Sequence, residues 1–274
     1  MKIDYRNRAR KYLARAKELI ETHDTDDLEL AALKLRMTME AVTYERAKIY
    51  ADELGPEEMK TWQPRKLMER MLEVDPHADK TASISIGEEP FPGGTPEKMR
   101  FLGTDNVLDQ KTIKKHYDAL GSYLHTPTPS QIEKGKEANH DKLRQRCEQL
   151  ASALEEVVSS RVWNARMDNY GEIECVECKE PVRRRLAKHQ ESRKVTCWEC
   201  RATYNMTAME GGKVHFEPRQ GKVICPDTKC AHEHFLWEND FEAGVSWNCD
   251  GCGKRLKIGL GVTLIEEVDE KSSA

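Results

Sequence analysis

The chain has 274 residues, with 44 basic and 48 acidic side chains, a formal net charge of -4 and nine cysteines. Only 38% of it is hydrophobic and its mean hydropathy is -0.77, which excludes one large apolar core, because ordering so many residues needs more buried apolar surface to offset the lost conformational entropy. The charged start MKIDYRNRARKYL and the absence of any run of 18 apolar residues exclude a secretion signal and a membrane span, so a cytoplasmic protein is expected, whose cysteines serve as metal ligands or core residues rather than disulfides.

The first 163 residues read mostly as helix. Between residues 4 and 22, Tyr12, Leu13, Ala16, Leu19 and Ile20 follow the helical period on one face. The segment 25–53 is the longest helix, opening at Thr25 or Asp26 with Glu29 completing a capping box. Its apolar positions cover more than one stripe, so it is expected at the centre, packed on two sides. Gly55, suited to a left-handed cap, and Pro56 separate it from a helix over 61–74 that carries Trp62, Leu67, Met71 and Leu72.

Residues 80–105 differ. TASISIGEE alternates with period two, PFPGG is a turn, and KMRFLGT pairs back as a second strand. Helix returns at 108–124 and again over 129–162, where Leu143, Cys147, Leu150, Leu154 and Val157 form a heptad-like seam. That seam packs within the bundle or against a second copy, and Cys147 inside it is a small core residue.

Eight cysteines lie between 175 and 252 in a duplicated pattern. Cys175 and Cys178 precede Cys197 and Cys200 by an 18-residue spacer, and Cys225 and Cys230 precede Cys249 and Cys252 by another 18. Two tight cysteine turns close a tetrahedral four-thiolate shell, so the pattern predicts two Zn2+ ions that supply the folding free energy such small sheets lack. A redox pair would need a βαβ context, and a catalytic zinc would need an open ligand position. The predicted strands are KVTCWEC, RATYNM and KVHFEP, then KVICP, GVSWNC, KRLKIG and VTLIEEV.

These residues resemble the zinc-ribbon family over about 170–266. The second unit departs from it, because Cys225 and Cys230 enclose four residues, PDTK, and His232 and His234 stand near enough to replace Cys230. The first spacer holds Lys179, Arg183, Arg184, Arg185, Lys188, Arg193 and Lys194 against Glu180 and Glu191, a local +5 that suits nucleic-acid phosphate or an acidic protein surface. Its counterpart, AHEHFLWENDFEAGVSWN, is acidic. Trp198, Tyr204, Trp237 and Trp247 either stack bases or cover the metal centres, and covering is favoured beside a cysteine turn.

The helical half resembles the HEPN superfamily in LELAALKLRMTMEAVTYERAKIY, LMERMLEVDP and HYDALGSYLHTPTP. The resemblance implies a prokaryotic defence or toxin-antitoxin setting, homodimerisation through the helical domain and, in active members, metal-independent RNA cleavage by an arginine and a histidine four to six residues apart. His125 is the best-placed histidine, but Asp118, Ala119 and Leu120 stand where its arginine belongs. Help from Arg36 or Arg46 would have to come from another segment. Arg70 with His77 meets the spacing but is interrupted by Pro76, and Arg183 or Arg184 with His189 lies inside the first ribbon.

The sequence therefore predicts an α+β protein. A mostly helical domain with a β-hairpin insertion spans 1–163, a first ribbon 170–216, a second 217–266 and a disordered tail 267–274. It reads as a zinc-binding nucleic-acid or nucleoprotein interaction protein. The alternatives are an RNA-cleaving effector using His125 and a protein-interaction adaptor.

Overall fold

The computed structural model describes residues 3–91, 94–126, 128–134, 139–164, 170–186 and 190–260. Lys188 and His189, the expected strand VTLIEEV and the tail 267–274 lie outside them. The architecture is α+β, with helices first and small antiparallel sheets after them. The chain divides into two compact units, Met1–Ile173 with Pro181–Glu191, and Glu174–Glu180 with Ser192–Ala274. Among the described residues no helix is long and apolar enough to cross a membrane.

In the first unit, α1 (Tyr5–Glu21) buries Ala9, Leu13, Ala16 and Leu19. α2 (Thr25–Ala47) is the central helix, packed against α1, α4 (Pro64–Val74), α5 (Gln110–Gly121) and α7 (His140–Ser159). Its N-cap is Asp24, whose carboxylate accepts from the N–H groups of Asp26 and Asp27, so Thr25 and Asp26 lie inside the first turn rather than capping it. A 3-10 turn, Lys48–Tyr50, extends it.

Gly55 is extended (φ -68°, ψ 161°) rather than left-handed, and it precedes α3 (Pro56–Met59), with proline in the first turn. Trp62 is 62% exposed, whereas Leu67 and Met71 are buried as expected. The single long helix expected over 129–162 is instead α6 (Pro129–Glu133) and α7, the latter capped by the Asn139 side chain on the Lys142 N–H. Leu143, Cys147, Leu150, Leu154 and Val157 are all buried, and α7 packs on α1 and α2, so the seam faces the bundle's own interior.

β1 (Ala82–Ile86) and β2 (Arg100–Asp105) form the expected antiparallel hairpin, with a register shift between Ile84 and Ser85. Its base is held by Asp105, whose Oδ2 accepts from Arg46 Nη1 at 2.8 Å in a buried ion pair, while its far end stands in solvent.

β3 (Gly171–Glu174) and β4 (Pro181–Arg184) form a second hairpin. The spacer segment 181–191, read from sequence as part of the first ribbon, clusters with the helices. The physical reason is its arginines. The Arg185 N–H donates to the Val74 carbonyl at 2.8 Å, and the Arg185 guanidinium binds Glu53, Nε lying 3.2 Å from Oε1. Arg184 is fully buried, and Arg183 donates to Glu172 at 2.6 Å and to the Asp52 carbonyl at 3.2 Å.

In the second unit β5 (Ser192–Thr196), β6 (Thr203–Ala208) and β7 (Val214–Pro218) make a three-stranded antiparallel sheet. β8 (Gln220–Ile224) pairs with β9 (Glu233–Trp237), and β10 (Ser246–Asn248) with β11 (Arg255–Lys257). β3, β4 and β9 had no predicted counterpart.

Candidate metal centres

Each cysteine pair sits in the turn of a hairpin, and the four turns repeat one construction. The first cysteine's N–H donates across the turn, from Cys175 to the Glu180 carbonyl (2.9 Å), from Cys197 to Ala202 (2.8 Å) and from Cys249 to Lys254 (2.8 Å). In the longer turn Cys225 donates to His232 at 2.8 Å, so the two extra residues of PDTK are absorbed without losing the bond. The residue after the second cysteine is left-handed in all four turns: Lys179 (φ 68°), Arg201 (φ 65°), Ala231 (φ 45°) and Gly253 (φ 71°). Three of these are not glycine and hold a conformation that costs L-residues energy and persists only where the surroundings impose it.

The turns bring the cysteines together in two sets of four, and the sulfur atoms in each set lie within 4.8 Å of one another. In the first set Cys175 Sγ is 3.5 Å from Cys200 Sγ, and Cys178 Sγ is 3.6 Å from Cys197 Sγ. In the second, Cys225 to Cys252 is 3.9 Å and Cys230 to Cys249 is 3.7 Å. A tetrahedron with sulfur about 2.3 Å from zinc has edges of about 3.8 Å, so both shells fit zinc. With four thiolates each, neither leaves a position for a reacting water, and both are structural centres. Cys147 is buried on α7 in the helical unit and belongs to neither set, and burial pushes its thiol up to about 12.

The neighbours of the sulfurs are organised to hold thiolates. Tyr204, fully buried, accepts from the Val176 N–H at 3.1 Å and lies 3.1 Å from Cys175 Sγ, towards which its hydroxyl can donate. Burial pushes the Cys175 thiol up, but Tyr204 and the N–H groups of Cys178 and Glu177 outweigh it and bring the group down to about 7. At the second centre the same contest, decided by the N–H groups of Cys252 and Gly251 and by His234, brings Cys249 down to about 6. His234 Nε2 is 3.3 Å from Cys249 Sγ, so this histidine supports a cysteine ligand instead of replacing Cys230.

The aromatic side chains cover the centres. Tyr204 packs on Phe216 and Trp237 with centroids 6.5 and 5.5 Å away, and Trp247 meets His234 edge-on at 5.8 Å. Trp198 is half-buried. Among the seven cations of the first spacer, Arg184 and Arg185 are buried, Arg183 is bound to Glu172, and Lys194 pairs with Glu238 at 2.8 Å. Lys179 is exposed, Arg193 is half-buried, and Lys188 is outside the described residues.

His125 is exposed four residues beyond the end of α5. Arg36 is engaged elsewhere: its guanidinium lies 4.0 Å over the Tyr117 ring and donates to the Tyr117 carbonyl, in space that Gly121 leaves by lacking a side chain. Arg46 is committed to Asp105 and Arg70 to Glu73. His116 is buried with Nδ1 unpartnered among the described residues.

Fold and centres together define a helical unit joined to a β unit built around two four-cysteine centres that fit tandem zinc ribbons. Comparison with family models, curated proteins and solved structures finds no match for the chain.

Proposed function

We propose that the protein is a zinc-stabilised interaction protein that engages a protein partner through its β1–β2 arm. The observation that carries this reading is the apolar surface of the arm. Ile86, Phe91, Met99 and Phe101 are 58%, 66%, 58% and 62% exposed. Among the described residues this sheet has two strands, so each strand keeps one outer edge open. A two-stranded ribbon is marginal in water, and exposed apolar side chains on a ribbon with open edges mark an interaction surface. A partner strand added to that edge would gain main-chain hydrogen bonds and cover the side chains. The zinc centres are fully ligated and supply rigidity rather than chemistry.

A photo-crosslinking residue placed at Phe101 in the producing cell should give a covalent protein adduct, while one placed at the exposed Lys66 on α4 should not. Equal labelling at both positions, or none at either, contradicts the reading. Light scattering over a concentration series then shows whether the partner is a second copy.

Nucleic-acid binding is the second reading, supported by exposed Lys179 beside the first centre. It predicts that Lys179→Ala with Lys194→Ala weakens RNA or DNA binding severalfold and flattens its salt dependence. RNA cleavage by His125 and a defence setting stand on the HEPN resemblance alone. For cleavage, the test is loss of cutting of labelled RNA in His125→Ala.

A further inference from the structure

Beside the second zinc centre lies a group of ligands that the four cysteines do not use. His232 lies just before β9 and His234 within it, and their ring centroids are 4.9 Å apart. The turn carrying Cys249 and Cys252 brings Asp250 to the same place. One ligand atom from each of His232, His234 and Asp250 lies within 4.8 Å of the others. The turn is shaped to let His232 in, because a side chain at Gly251 would meet the His232 Cβ at 2.7 Å.

His234 is 5% exposed, and its two ring nitrogens face different groups. Nε2 is 3.3 Å from Cys249 Sγ, and Nδ1 is 3.8 Å from Asp250 Oδ2. A cation held between Nδ1 and Asp250 Oδ2 would engage both groups while leaving the Nε2 contact to Cys249 in place.

We propose that His232, His234 and Asp250 form a third metal site, for a divalent transition ion of the nickel, copper or zinc type. Two imidazoles and one carboxylate suit such ions, and calcium or magnesium would demand more oxygen ligands. Around a metal at about 2.1 Å the ligand atoms would lie roughly 3.0 to 3.4 Å apart. Asp250, whose side chain is 83% exposed, is free to swing inward and close the gap. Three protein ligands leave the remaining positions to water, so this ion, unlike the two zincs, would be open to solvent. The site shares its turns with the second centre, since Asp250 follows Cys249 directly and His232 follows Cys230 by two residues.

The test uses the untagged, zinc-loaded protein, dialysed against excess Ni2+ and then against metal-free buffer, with both metals counted. The expected result is two zinc ions and one nickel ion in the wild type, and two zinc ions with at least tenfold less nickel in His232→Ala/Asp250→Asn. Three results would overturn the site: no nickel in the wild type, equal nickel in the variant, or nickel gained only as zinc is lost. A zinc count below two before nickel is added would instead mark failure of the zinc assignment.

Discussion

Tyr204 joins the backbone of one cysteine turn to a thiolate, accepting from Val176 and facing Cys175. Tyr204→Phe removes that hydroxyl but little volume, so it should weaken zinc at the first centre by about 10- to 100-fold while leaving the second unchanged, as measured by competition with a chelator. In the helical unit, burial, with Lys115 and Arg146 adding to it, lowers the His116 imidazole to about 4. The unfolded chain therefore takes up a proton near pH 6.5 that the folded chain refuses until about pH 4. Stability contributed by neutral His116 is full above pH 6.5 and is lost as pH falls through that window. His116→Leu should remove this pH dependence, so the melting temperature of the variant minus that of the wild type should become more positive from pH 7 to pH 5. A constant gap would contradict it. The eight ligands were legible at this scale because cysteine spacing is a covalent property. The supporting roles of Tyr204 and His234 were not, since both depend on groups brought together only by folding.

At the scale of elements, the cysteine turns carry their own strain. Arg201 and Ala231 hold left-handed backbone where glycine would rest without penalty. Arg201→Gly and Ala231→Gly should keep full zinc and melt slightly higher, by an increment of about 0.5 to 1 kcal/mol, whereas Gly253→Val should destabilise its turn. β4 is fixed differently, by Arg185 on Glu53, with side chains 10% and 4% exposed. Arg185→Ala leaves a carboxylate buried without its cation and should cost roughly 3 to 5 kcal/mol in chemical denaturation. Arg185→Met with Glu53→Met should recover much of that loss. Both outcomes follow from an arginine that holds the fold, and neither would be seen if it faced solvent.

Element legibility follows length and periodicity. α1, α2, α5 and the β1–β2 hairpin were readable because their apolar residues repeat with the right period over many positions. The split between α6 and α7 was missed because the apolar seam of α7 dominated the reading and hid the cap at Asn139. β3 and β4, GEIE and PVRR, are four-residue charged strands whose pairing is set by the cysteine turn between them, and composition does not announce them.

For the whole molecule, the polar composition is accounted for by two kinds of stabilisation. The helical unit has an apolar core around α2, while the C-terminal unit buries few apolar side chains beyond those around its cysteines. Metal removal should therefore act on the second unit and on the β3–β4 hairpin that its first cysteine turn closes, reducing the strand signal in circular dichroism while the helical signal persists. Sequence located this division only approximately, because the spacer arginines that bind segment 181–191 to the helical unit looked like a solvent-facing basic cluster.

The most direct measurement is the metal content of the purified chain, with cobalt substituted for zinc to report the ligands. Two zinc ions per chain, replaced by two cobalt ions whose spectra show four-thiolate tetrahedral sites, is the result expected from the sulfur geometry. One ion or none, or cobalt in sites with oxygen ligands, would contradict the account.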